Sequence, residues 1–184
     1  MQRTMARGWH RLLATGCFLG LAASAIQPVF ASNTIKNGNQ LQSPVSEVLL
    51  TITGAITNKN TENAAQVDLH LIRTLPVHKL RTSTAVTDGV KLFEGVLMRD
   101  LLALVGAQGT VVEALALNNY SVDIPVADFY QYDVLLATHM DGERLLPSGK
   151  GPFWIVYPRN DVRQLQDIRY DYRWVWQLHQ LTVK

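Results

Sequence analysis

Beyond the first thirty or so residues, apolar runs in this chain are short, and turn signals close them before they can grow into a long helix. The stretch from Leu80 to Leu102 sets the pattern. Lys79 to Thr84 is strand-like, and Asp88-Gly89 marks a tight turn. Leu92 to Val96 is a second short strand, whose Gly95 marks a bulge or a close backbone approach. Leu97, Leu101, Leu104 and Val105 then recur at helical spacing, and Gly106 ends that helix. A chain punctuated this often cannot be a helix bundle. It calls for a mixed sheet with short helices between strands.

The rest of the chain keeps the same rhythm. Val48 to Thr57 alternates Thr with aliphatics and reads as a strand. Gln66 to Thr74 reads as a strand followed by a short helix capped by Asp68 and ended by Pro76. Val111 to Leu117 and Tyr120 to Ile124 form a hairpin around Asn118-Asn119, and a helical turn starts at Pro125. Val134 to Thr138, Phe153 to Tyr157 and Leu178 to Val183 are further strands, with a turn at Asp141-Gly142. In the segment Tyr170 to Trp176, strand geometry would put Trp174 and Trp176 on one face and Val175 on the other.

The first residues read as an export address. Arg3, Arg7 and Arg11 precede an uncharged apolar stretch from Leu12 to Ile26, and cleavage is expected after Ala31. The expected organisation is a signal peptide over 1–31, a polar leader over 32–46 and one domain over 47–184, placed in the periplasm. No Arg-Arg pair marks transport of a folded protein, so the chain is expected to cross unfolded and without a cytosolic cofactor. The full chain has 17 basic and 15 acidic residues. Without the three signal arginines the balance is close to neutral, which argues against a nucleic-acid partner. Cys17, the only cysteine, lies in the signal, so the expected mature domain has neither thiol nor disulfide and depends on its core for stability.

Several segments, in order, carry a family resemblance: LTITGAI (Leu50 to Ile56), FEGVLMRDLLALVGA (Phe93 to Ala107), ALNNYSVDIP (Ala116 to Pro125), LLATHMDGERL (Leu135 to Leu145), KGPFWIVYP (Lys150 to Pro158) and RWVWQLHQLTV (Arg173 to Val183). Together they resemble the molybdopterin-binding domain of sulfite oxidase-like oxidoreductases, and more closely its small single-domain periplasmic relatives. The resemblance implies an α+β domain with a mixed-sheet or barrel-like core and short helices. In that family a cysteine thiolate before the FxG segment holds molybdenum. Counting back from Phe93 places it at Ser83, or at Thr82 or Thr84 if the register slips by one. A hydroxyl is a far poorer donor than a thiolate for such a metal. The arginine- and asparagine-bearing loop that follows the family's cysteine is here Ala85 to Asp88, and Trp154 stands where the family often has an arginine.

The candidate ligand-binding residues are therefore Ser83, Thr84, Asn118, Tyr120, Lys150, Trp154, Arg159 and Arg173. Ser83 and Thr84 could donate to a small anion, or simply satisfy a strand end. Asn118 and Tyr120 sit on a turn near the family's site. Lys150, Arg159 and Arg173 are the cations best suited to an anionic ligand, and backbone N–H groups of the turn Ser148 to Gly151 could assist Lys150. Trp154 is read as a pocket wall and Trp176 as core. The expected pocket lies between the Ser83 strand end, the Asn118 to Tyr120 turn and the Lys150 to Trp154 segment. His70, His78, His139 and His179 have no metal-ligand spacing. The expected function is a ligand- or partner-binding module with no catalytic residue, no metal and no cofactor. Its occupant would be a small polar or anionic ligand, or a membrane sensor or enzyme partner. The alternative is a molybdopterin-dependent oxidoreductase with Ser or Thr in place of the thiolate.

Overall fold

The computed structural model describes residues 41–184. The expected signal over 1–31 and most of the leader lie outside the described residues. The described elements run β1 (Leu50–Gly54), β2 (Ala65–Val67), α1 (Leu69–Ile72), β3 (His78–Ser83), β4 (Val90–Leu97), α2 (Met98–Leu104), β5 (Val111–Ala116), β6 (Ser121–Pro125), α3 (Val126–Gln131), β7 (Leu135–Met140), β8 (Glu143–Arg144), β9 (Trp154–Val156), α4 (Ile168–Asp171) and β10 (Leu178–Val183), with a 3-10 turn over Arg163–Gln166.

These strands make two five-stranded sheets. The first has the order β2-β1-β10-β5-β6, with β1 and β10 parallel and the other pairs antiparallel. The second runs β3-β4-β7-β8, with β9 also pairing to β7. Neither closes into a barrel, so the architecture is mixed α+β with open sheets. Alternation decides which side of a strand is buried. In β1, Leu50 and Ile52 are inaccessible while Thr51 and Thr53 are half-buried. Strands of both sheets, together with α2 and α3, contribute to one apolar core.

Gly95 is a bulge and a close approach at once. The β4–β7 register shifts between Glu94 and Gly95. A Cβ on Gly95 would lie 2.0 Å from the Leu136 carbonyl oxygen, so only glycine fits the crossing. Gly106, with φ of 61°, ends α2 in the left-handed conformation expected of a helix stop.

The Asp68 cap ties the start of the described chain to the domain. Its carboxylate accepts from the N–H of Leu71 (2.8 Å), Val45 (2.9 Å) and Ser46 (3.0 Å) and from the Ser46 hydroxyl (2.9 Å). Burial would raise its pKa, but these four donors outweigh burial and lower it from 3.8 to about 2. Val45 and Ser46, the last residues of the expected leader, are thus anchored.

One local expectation fails. Residues 172–177 are not a strand. The Ile155 N–H reaches the Val175 carbonyl and the Leu178 N–H reaches the Phe153 carbonyl, without a regular ladder between them. Trp174 and Trp176 therefore do not share a strand face. No helix among the described residues is long and apolar enough to cross a membrane.

Candidate functional site

The β5–β6 hairpin builds the first wall of the candidate site. Asn119 takes a φ of 64°, and the Asn118 side-chain oxygen accepts from the Tyr120 N–H at 3.0 Å, an arrangement that suits asparagine in a tight turn. The Tyr120 hydroxyl then donates to the Tyr172 carbonyl at 2.7 Å, pinning the hairpin to the chain that leaves α4. Burial, and then the neighbouring Tyr172, raise the Tyr120 pKa.

The second wall is α4 and the residues after it. Asp167 caps α4 by accepting from the Arg169 N–H at 2.9 Å. Behind this wall, Asp128 of α3 accepts from both Arg173 and the Tyr157 hydroxyl. Burial, followed by the Asp128 charge, pushes the Tyr157 phenol well above its ordinary value. Arg173 also lies over the Tyr170 ring, 4.7 Å from its centroid. Its charge is spent on holding the wall.

The two walls enclose a cavity of about 390 Å³. Ala116, Asn118 and Tyr120 line it from the hairpin, and Val86 from the β3–β4 loop; Ile168, Asp171, Tyr172, Trp174 and Trp176 line it from the other side. Its lining contains one carboxylate and no cation. The Trp174 indole N–H and one Asp171 carboxylate oxygen are buried and have no hydrogen-bond partner, although such groups are normally satisfied. The rim is apolar and open: Val86, Tyr120, Ile168 and Tyr172 are among the exposed large hydrophobic residues of the domain.

Of the residues expected to bind ligand, the structure brings only Asn118 and Tyr120 to this cavity. The Ser83 hydroxyl and N–H both donate to the Asn160 side-chain oxygen, at 2.7 and 3.0 Å. Thr82 meets the same oxygen at 3.4 Å. Thr84 bonds Thr87 at 2.9 Å and accepts from the Val86 N–H at 3.1 Å. The corner is closed on itself. Trp154 has no accessible surface and packs edge-on against Phe93 with ring centroids 5.3 Å apart. It is core and not a pocket wall, whereas Trp176, expected in the core, is half-buried and lines the cavity.

Lys150 stands outside the lining, over the rings of Trp176 (4.7 Å) and Trp154 (5.2 Å). In its turn the N–H groups of Gly149 and Gly151 both donate to the Leu146 carbonyl. Arg159 is half-buried beside Asn160 in sequence and lines neither this cavity nor the second one. A second, more polar cavity of about 360 Å³, between β3 and the residues following α3, holds none of the expected site residues. Among the described residues, no cluster of three His, Cys, Asp or Glu side chains could hold a metal ion.

Sequence reasoning missed Asn160 and Asp128. Asn160 gave no signal beyond a polar run after Pro158. Asp128 gave one: a lone acid inside the apolar turn Val126 to Tyr130. Asp171 and Tyr172 lie in a stretch whose aromatic content was visible, but its path was not.

Comparison with known proteins places the fold. A family model described as the oxidoreductase molybdopterin binding domain matches residues 43–164. Among solved structures, the sulfane dehydrogenase SoxCD from Paracoccus pantotrophus is similar in fold, with a TM-score of 0.54 and 19% identity over 73% of this chain. The match spans 37% of that longer chain. No curated protein matches. The cavity residues from Ile168 to Trp176 lie beyond the stretch that the family model matches.

Proposed function

The chain belongs to the oxidoreductase molybdopterin-binding domain family, and from that premise we propose that it serves as an exported, periplasmic binding module. In this reading the fold is kept, the metal chemistry is lost, and a small ligand or a partner occupies the aromatic cavity between the hairpin and the α4 segment.

The observation that carries the reading is the state of the Ser83 corner. Where the resemblance puts the family's thiolate, a hydroxyl donates to Asn160 at 2.7 Å. A serine hydroxyl is protonated at neutral pH and a weak donor for a soft metal. An anionic cofactor also asks for cationic or N–H donors around it. The aromatic cavity, which holds the Asn118 to Tyr120 turn of the expected site, is lined by two tryptophans, one acid and no cation, so the residues present fit a molybdopterin poorly. The exposed apolar rim supports binding instead, because such patches mark contact sites.

Co-production of the full chain with an active molybdopterin pathway, followed by elemental and pterin analysis, tests the reading. It expects less than about a tenth of a molybdenum per chain, the occupancy of adventitious metal. One molybdenum and one pterin per chain would reverse it in favour of an oxidoreductase with a hydroxyl ligand.

A further inference from the structure

The lining of the aromatic cavity specifies a charge. Tyr120, Tyr172, Trp174 and Trp176 line one space of about 390 Å³. Aromatic faces carry negative potential and attract cations, tryptophan most strongly. Asp171 adds a full negative charge to the same lining, and one of its oxygens is buried without a donor. No lysine, arginine or histidine lines the space. Such a cavity penalises anions and favours a positive group.

Resting on the reading of the chain as a binding module, we infer that the cavity binds a compact organic cation of the substituted-ammonium class. The aromatic rings line the space around the alkylated nitrogen, and Asp171 of the same lining supplies the counter-charge. Lys150 works against this occupant. It lies outside the lining but covers a face of Trp176 at 4.7 Å, so its removal should favour the ligand. Five residues of the lining fall outside the family match, and four lie within it.

Calorimetric titration of the full chain with choline, with its uncharged carbon isostere 3,3-dimethyl-1-butanol and with inorganic phosphate tests the inference. Choline should bind, the isostere about tenfold more weakly, and phosphate should neither bind nor compete, in line with cation–aromatic recognition. Tyr172→Ala, at an exposed position that leaves folding intact, should weaken choline about fivefold or more. Asp171→Asn should weaken it further, and Lys150→Gln should tighten it. Equal binding of choline and its isostere, binding of phosphate, loss of choline binding in Lys150→Gln, or no binding of choline would each overturn the assignment. Molybdenum analysis of the same preparation separates the two levels. Molybdenum-free protein that ignores choline removes only the ligand class, whereas stoichiometric molybdenum removes the binding-module reading itself.

Discussion

At the residue scale, Ser83 and Asp68 show how a polar side chain is given its role by its neighbours. A serine in place of a cysteine was legible in the sequence. Its partner Asn160 was not, because 77 residues separate them and nothing local announces the contact. Ser83→Cys would restore a thiol but leave Asn160, the cation-free lining and Asp171 in place. The variant should therefore still purify with less than about a tenth of a molybdenum per chain; a jump to near one would make the missing sulfur the sole obstacle. Asp68 is the opposite case, read correctly as a cap because a short apolar helix follows it. Its folded pKa of about 2 lies below its ordinary 3.8. A depressed carboxylate contributes stability that is complete above the unfolded value and lost as pH falls through the folded one. The urea midpoint should drop between about pH 4 and pH 2, and Asp68→Ala should lower stability by about 2 kcal/mol near neutrality. An unchanged pH dependence in that variant would contradict the assignment.

At the element scale, regular pieces were readable and irregular ones were not. The β4 strand with its Gly95 bulge, the α2 helix with its Gly106 stop, and the β5–β6 hairpin all follow from patterns confined to a few residues. The path after α4 does not, because it is set by long-range contacts: Arg173 to Asp128, Tyr120 to the Tyr172 carbonyl, and Val175 to Ile155. The family position of Trp154 suggested a pocket wall and the aromatic bulk of Trp176 suggested core, and the structure reverses both. Two substitutions test how these elements are held. Gly95→Ala puts a methyl 2.0 Å from the Leu136 oxygen and should cost about 3 kcal/mol in chemical denaturation by forcing β4 and β7 apart; a loss below about 1 kcal/mol would mean the crossing is slack. Asp128→Ala strands Arg173, whose side chain is only 23% exposed, and should cost about 3–5 kcal/mol. It should also loosen the cavity wall, seen as faster hydrogen exchange over residues 170–176. Normal exchange there would detach the ion pair from the site.

At the scale of the whole molecule, family membership and function part company. The ordered segments from Leu50 to Val183 pointed to the family, and the family model agrees over residues 43–164. A fold hosts many chemistries, however, and function belongs to the site. The expected pocket shares the Asn118 to Tyr120 turn with the cavity, but its cations are elsewhere: Arg173 is paired with Asp128, Lys150 lies over indole rings, and Arg159 lines neither described cavity. We infer a cage suited to positive charge where those cations led to an anionic ligand. The central claim is that this chain meets its ligand in the aromatic cavity and not at the corner where its family holds a metal. An amide and indole ¹⁵N NMR titration with choline tests that claim most directly. The account predicts movement of the Trp174 and Trp176 indole N–H signals and the Tyr120 and Asp171 amides, with Trp154 and Thr82 to Thr84 unmoved. Shifts centred on Thr82 to Thr84 and Asn160, with Trp174 silent, would contradict it.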